Sequence, residues 1–524
     1  MSLLLRVLGS ILNVIAIIIN SIANLLVPRS KPTYPAIKNP LLKKPITVLR
    51  DEMIQKKLTS QELVEVYIGR IKEVNACLNA VVQDRFEEAI KEAQHADSLM
   101  SKADSDIKLL LLFQRYPLLG IPFTVKESCG LKGLSFSVGS FKRQNEVCPE
   151  DSEVVGLLRA AGGIPLLVSA NPEFCLSFEA DTHVNGKCLN PYDLRRTSGG
   201  SSSGEGSLHG AGASVFGVAS DVSGSIRLPA LYCGVFGHKP TGGLTSVQGH
   251  FPYSNTDEDF ANFLQLGPIT RFGQDLALLL QVMAGKNAEK LKFEEGVKLD
   301  DIKIYYTYSM GNFLHIPVDY EIKLAIKRAV KCFEKGGLYT EEVNIAGFQS
   351  AVEMSLSHLV SLKGLPSVLT HSAVERPTRK EIIKELLKSL TGNSKITAMP
   401  IIVELMIEMN AFLTDAHNKQ LKVELQELKK DLIQLLGSNG VLFIPTYHKS
   451  AGFFNGCSVV NISGVVLMLM FNVLGFPATH VPMGLDRSGR PIGFQVVAAP
   501  YMDKLCLQIA AELEGAFGGW IEPH

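Results

Sequence analysis

The chain has 524 residues, of which 46% are apolar and 20% charged, enough for a large core and incompatible with a globally disordered chain. Its 52 basic residues balance 52 acidic ones, so nothing favours nucleic acid as the main partner, which would require a basic excess. The nine cysteines are scattered, with no C-x-x-C pair and no zinc-like spacing to histidines, so free thiols are expected rather than a disulfide framework.

The first element is apolar. Val7 to Val27 runs 21 residues without a charge, about 30 Å of helix and enough to reach across a bilayer. Residues 1–30 are therefore expected to be a retained membrane anchor, spanning or interfacial, rather than a removed signal peptide. Arg29, Lys31, Lys38, Lys43 and Lys44 follow it, against Arg6 alone before it, which favours a cytoplasmic catalytic part and leaves a luminal one open. An endomembrane location (endoplasmic reticulum or lipid droplet) is expected. The sequon at Asn461 falls in an apolar segment and does not settle the side. Residues 31–45, rich in proline and lysine, read as a tether, and 46–524 as one catalytic domain.

Thr59 and Glu62 fit a capping box that opens a helix with Leu63, Val66, Tyr67 and Ile71 on one face. A second helix is expected over Arg85 to Met100. Between Leu118 and Lys239, apolar runs such as "GIPFTV" and "GGIPLLVSA" alternate with glycine-rich turns, the pattern of buried strands in an α/β sheet. Helices are expected at Tyr320–Lys335, Val374–Leu390 and around His417–Leu436, and core strands at "GVLFIPT" and "PIGFQVVAA". Ser394 to Leu413 is apolar and methionine-rich, with its helical pattern interrupted at Pro400. It is expected either to pack in the core or to present an apolar surface to a membrane.

The stretch "TSGGSSSGEG", Thr197 to Gly206, has several readings. A phosphate loop would need a lysine that is absent, and a linker would not lie between buried strands. Gly200 to Gly204 satisfies the G-x-S-x-G elbow with Ser202 as nucleophile. However, the charged, turn-like "NPYDLRRTSG" precedes it where a strand is needed, and nothing selects His238, His250 or His480 as its base. Downstream, "DVSGSIRLPA" places Ser225 between Asp221 and Arg227, and 225 − 201 = 24 residues separate it from Ser201. Upstream, "GIPFTVKE" ends on Lys126.

These elements, in this order and at this spacing, resemble the amidase signature family, whose pattern pairs G-G-S-S-G-G with D-x-G-G-S-[IV]-R. The resemblance runs from about Lys44 to the end of the chain. Its strongest form is to the membrane-anchored fatty-acid amide hydrolases of the second type, carried by the amino-terminal segment, "DVSGSIRLPALYCGVFGHKPT" and "FGGW". Ser203 and Ser223 depart from the pattern where the family has glycine.

The resemblance implies an α/β amidase signature fold, a mixed twisted central sheet covered by helices on both faces, with the amino-terminal membrane helix added. It implies a Ser-Ser-Lys triad in which Ser225 is the nucleophile, Ser201 the relay and Lys126 the base. It also implies a cis bond before Ser201, an oxyanion hole of backbone N–H groups from Val222, Ser223, Gly224 and Ser225, and support from Ser202, Asp221 and Arg227. Cys129, near this set but without a histidine motif, reads as wall. Amide hydrolysis of this kind needs no metal or organic cofactor. The expected activity is cleavage of lipid-like long-chain acyl amides at a membrane, and a homodimer is compatible with it. The alternatives are an amidase of other small amides or esters, a tRNA-dependent amidotransferase subunit, and a non-catalytic membrane protein on this scaffold.

Overall fold

The alternation of buried strands with glycine turns produces a mixed sheet of eleven strands, seen in a computed structural model that describes residues 34–257, 259–311, 317–454 and 462–523. In chain order these are β1 (Val81–Asp84), β2 (Pro122–Lys126), β3 (Ile164–Ser169), β4 (Phe216–Asp221), β5 (Phe236–Lys239), β6 (Gln265–Thr270), β7 (Lys303–Tyr306), β8 (Tyr339–Glu342), β9 (Gly440–Ile444), β10 (Ala478–Leu485) and β11 (Pro491–Ala498). Across the sheet they lie in the order β1-β3-β2-β4-β6-β5-β10-β11-β9-β7-β8. β2 runs parallel to β3 and β4, and β9 parallel to β7. Antiparallel pairs fill the centre.

Helices cover both faces, as the period of two along β9 demonstrates. Val441 and Phe443 pack with Ile322, Ile326 and Leu505 from the helices Tyr320–Lys335 and Asp503–Phe517. Leu442 and Ile444 face the other way, towards Leu428 and Leu432 of Asp415–Leu436 and Leu467 and Phe471 of Val466–Leu474. A strand buried on both sides reads as a continuous apolar run, which is why "GVLFI" shows no alternation.

Several expectations shift at their boundaries. The helix expected from Val374 begins at Arg379, because Thr378 and Glu381 form a complete capping box. At Thr59 only half the expected box is present: its side chain accepts from Glu62 N–H. Pro400 does not interrupt a helix. It sits in the first turn of Ala398–Glu408, where no intrahelical N–H is needed. Residues 34–45, the described part of the expected tether, lie on the body, with Ile37 and Leu42 buried and Ile37 N–H bonded to Glu522.

The expected anchor (1–30) and the Asn461 sequon residue lie outside the described residues. Among the described residues no helix is long and apolar enough to cross a membrane.

Candidate active site

The carboxyl ends of the parallel neighbours β2 and β4 lie side by side, and α/β sheets present their chemistry at such ends. Lys126 is the last residue of β2, and Ser220 and Asp221 are the last two of β4. Behind them Glu205 is fully buried, accepting from Thr124 Oγ1 and Ser169 Oγ at 2.7 Å each. Room for it exists because β4 carries glycine at 217, where a Cβ would meet Glu205 Oε2 at 1.7 Å. Burial pushes the Glu205 carboxyl up to about 7, against the two hydroxyl bonds and the nearby Lys126 charge.

Lys126 is fully buried, and its Nζ donates to Ser201 Oγ at 2.7 Å and to Ser220 Oγ at 2.9 Å. No carboxylate of the described residues lies within ion-pair distance of it. The Gly200–Ser201 peptide is cis, as the resemblance implies. Ser202 stands just before the helix Ser203–Gly210 without a side-chain cap bond to it, and is buried with its Oγ donating to the Ser220 carbonyl at 3.4 Å. A strand, Asp193–Thr197, does precede this turn, contrary to the turn-like reading, but it belongs to a separate two-stranded ribbon. Ser203 Oγ donates to the Gly199 carbonyl at 2.5 Å, so this departure from the family pattern ties the turn together.

The Ser225 loop is held by one buried ion pair. Arg227 Nε and Nη2 donate to Asp221 Oδ2 and Oδ1 at 3.1 and 3.0 Å, both side chains being fully buried. Asp221 also accepts from Gly224 N–H at 2.7 Å, Ile226 N–H at 3.0 Å and Asn472 Nδ2 at 3.0 Å. Arg227 reaches further to Gln495 Oε1 and Asn472 Oδ1. Burial alone would raise the Asp221 carboxyl, but the Arg227 charge and hydrogen bonds, with Lys239 and Gly224 N–H, hold it well below the usual carboxylate range.

Ser202 N–H donates to the Ser225 carbonyl at 3.2 Å, which joins the two serine loops. Ser225 is 4% exposed, and its Oγ makes no hydrogen bond among the described residues, to Ser201 or otherwise. The four expected oxyanion donors differ in their bonding. Gly224 N–H is committed to Asp221, whereas the N–H groups of Val222, Ser223 and Ser225 have no acceptor among the described residues. Gly224 itself has φ +110°, and a Cβ there would meet Met468 Sδ at 2.3 Å.

Sequence reasoning missed Ser220, Glu205, Asn472 and Gln495, and left His250 undecided. Only His250 of the three histidines considered lies at the site: its Nε2 is 3.0 Å from Ser220 Oγ. His238 instead bonds Asp503 and Thr479, and His480 bonds Thr446, both within the sheet. Cys129 is buried, and burial pushes its thiol up to about 12, so it is an inert part of the wall.

Residues 62–507 match the family model described as amidase. The chain is 35% identical to fatty-acid amide hydrolase 2 of Homo sapiens over 475 residues, covering 90% of this chain and 88% of that protein. It is also 35% identical to fatty-acid amide hydrolase 2-A of Danio rerio over 534 residues, covering 99% and 97%. A solved fatty acid amide hydrolase superposes with a TM-score of 0.71 at 19% identity, covering 92% of this chain and 86% of that one, a likeness of fold.

Proposed function

The chain belongs to the amidase family and hydrolyses amide C–N bonds, and from that premise we propose that it is a membrane-associated serine hydrolase cleaving long-chain fatty acyl amides to fatty acid and amine. The observation that carries the mechanism is the buried Lys126–Ser201 contact beside a loop whose Val222, Ser223 and Ser225 N–H groups stand without acceptors among the described residues.

In this reading Lys126 acts as the base in its amine form. Ser225 Oγ turns towards Ser201, gives it a proton and attacks the amide carbonyl carbon. Ser201 passes its own proton to Lys126. Catalytic hydrogen bonds often tighten only when substrate is bound, so the open Ser225 side chain is compatible with this step. The oxyanion takes the free N–H groups, each such donor being worth roughly 10²–10³ in rate. Collapse breaks the C–N bond as the proton returns through Ser201 to the departing nitrogen, and water then releases the fatty acid from Ser225.

Two features support a lipid substrate besides the relatives' names. Half-buried Phe178, Val222, Leu359, Leu362 and Val473 pack on the buried cluster that includes Leu228, Met468 and Leu469, apolar groups suited to an acyl chain. On Arg379–Leu390, Ile383, Leu387 and Leu390 stand 43%, 60% and 68% exposed along one helical face. That face and the apolar Val7–Val27 segment would bring the enzyme to the bilayer in which such amides dissolve. Turnover of a panel of acyl amides in detergent tests the substrate class: long-chain amides should be preferred, and equal or better cleavage of short-chain amides would refute it.

A further inference from the structure

Behind Lys126 a second line of hydrogen bonds leads away from the serines. Ser220 Oγ lies 2.9 Å from Lys126 Nζ and 3.0 Å from His250 Nε2, and His250 Nδ1 lies 2.9 Å from the Pro252 carbonyl. All three side chains are buried.

Chemistry assigns every proton along this line. A carbonyl oxygen only accepts, so His250 Nδ1 carries a hydrogen. Burial, the largest cause, pulls the His250 imidazole well below its ordinary value, so beside an uncharged Lys126 the ring is neutral and Nε2 offers a lone pair. The Ser220 hydrogen therefore goes to Nε2, and the Ser220 oxygen can only accept from Lys126. An amine has two hydrogens and one lone pair. With one hydrogen committed to Ser220, one hydrogen and the lone pair remain; in the base step the lone pair faces Ser201 Oγ, 2.7 Å away, where the charged side chain donates a hydrogen.

We propose that His250 is a positioning residue which, by fixing the Ser220 hydroxyl as an acceptor, reserves the Lys126 lone pair for the proton delivered by Ser201. Without His250 the Ser220 hydroxyl turns and donates into that lone pair, competing with Ser201. The inference rests on the reading of Lys126 as base.

The test uses the full chain with His250→Leu, His250→Gln, Ser220→Ala and the His250→Leu/Ser220→Ala pair. The readouts are kcat and KM for amide hydrolysis and the rate of labelling by a fluorophosphonate, with melting temperature as the check on folding. His250→Leu should lower kcat and the labelling rate about 10-fold or more with KM unchanged, a part of the roughly 10²–10⁴ that general acid–base groups contribute. His250→Gln, whose amide oxygen can accept from Ser220, should restore most of the loss. On the Ser220→Ala background, where no competing hydroxyl remains, His250→Leu should have no effect.

Additive losses in the double variant, or an unchanged kcat in folded His250→Leu, would overturn the inference. If His250→Leu does not fold, a folded His250→Gln whose kcat falls about 10-fold or more overturns it equally. Lys126→Ala and Ser225→Ala separate the two levels: activity retained in either overturns the reading of the site itself. Their inactivity combined with additive His250 and Ser220 effects overturns only the role of His250.

Discussion

Asp221→Ala removes the one group that organises the Ser225 loop, and its cost can be worked from the contacts. The carboxylate accepts from Gly224 N–H, Ile226 N–H, Asn472 and both donating nitrogens of Arg227, with no solvent to replace it. Truncation leaves Arg227 buried with only the amide oxygens of Gln495 and Asn472 as partners among the described residues. One-sided removal of a buried pair costs about 3–5 kcal/mol. With an unfolding entropy of about 2 cal/mol/K per residue over 524 residues, the melting temperature should fall by about 3–5 °C. Scanning calorimetry at one fixed scan rate measures this. Removing both charges in Asp221→Leu/Arg227→Met should be milder than Asp221→Ala, since no buried charge is then left alone. A melting temperature within about 1 °C of the parent for Asp221→Ala, or a double variant as unstable as the single one, would refute the reasoning.

Three further outcomes follow from the same geometry. Gly224→Ala must move either Met468 or the loop at a φ of +110°, so kcat should fall on the order of 10²-fold, the scale of one misplaced oxyanion donor; a kcat within twofold of the parent would contradict this. Glu205 has a folded pKa of about 7, above its ordinary 4.5. Its contribution to stability is therefore complete below about pH 4.5 and is lost as pH rises through 7. Glu205→Gln should accordingly gain stability relative to the parent between pH 5 and pH 8, by up to about 3 kcal/mol, and denaturant unfolding at the two pH values checks it. Finally, removal of residues 1–33 should weaken sedimentation with liposomes, and adding Ile383→Ser, Leu387→Ser and Leu390→Ser should abolish what remains; persistence of binding in the combined variant would contradict a role for that face.

The arrangement of the site was only partly legible in the sequence, for a physical reason. Lys126, Ser201, Asp221, Ser225 and Arg227 stand in short local patterns, because Lys126 ends β2, Asp221 to Arg227 form the turn that follows β4, and Ser201 lies in the turn before the helix Ser203–Gly210, and each of these turns demands particular neighbours. Their partners carry no such pattern. Gln495 meets Arg227 from 268 residues away and Asn472 from 245, and only the stacking of β11 and the helix Val466–Leu474 against this loop brings them in. His250 was visible as a histidine, but its value depends on Ser220, which in sequence is merely the residue before Asp221.

The α/β sheet was legible because buried strands such as "PIGFQVVA" are short, apolar and bounded by turns, whereas its mixed strand directions were implied only by the family resemblance. Helix starts were less so. The Thr378–Glu381 box was present to be read, but the apolar Val374 pulled the expected start upstream, and Pro400 resembled a break because its position within the first turn depends on where the helix begins.

The central claim is that Ser225, and not the neighbouring serines of the glycine–serine turn, attacks the amide. Treating the full chain with a fluorophosphonate and locating the adduct by peptide mass spectrometry tests it most directly. The adduct should lie on Ser225, and Lys126→Ala should slow its formation. An adduct on Ser201 or Ser202, or undiminished labelling of Ser225→Ala, would contradict the account.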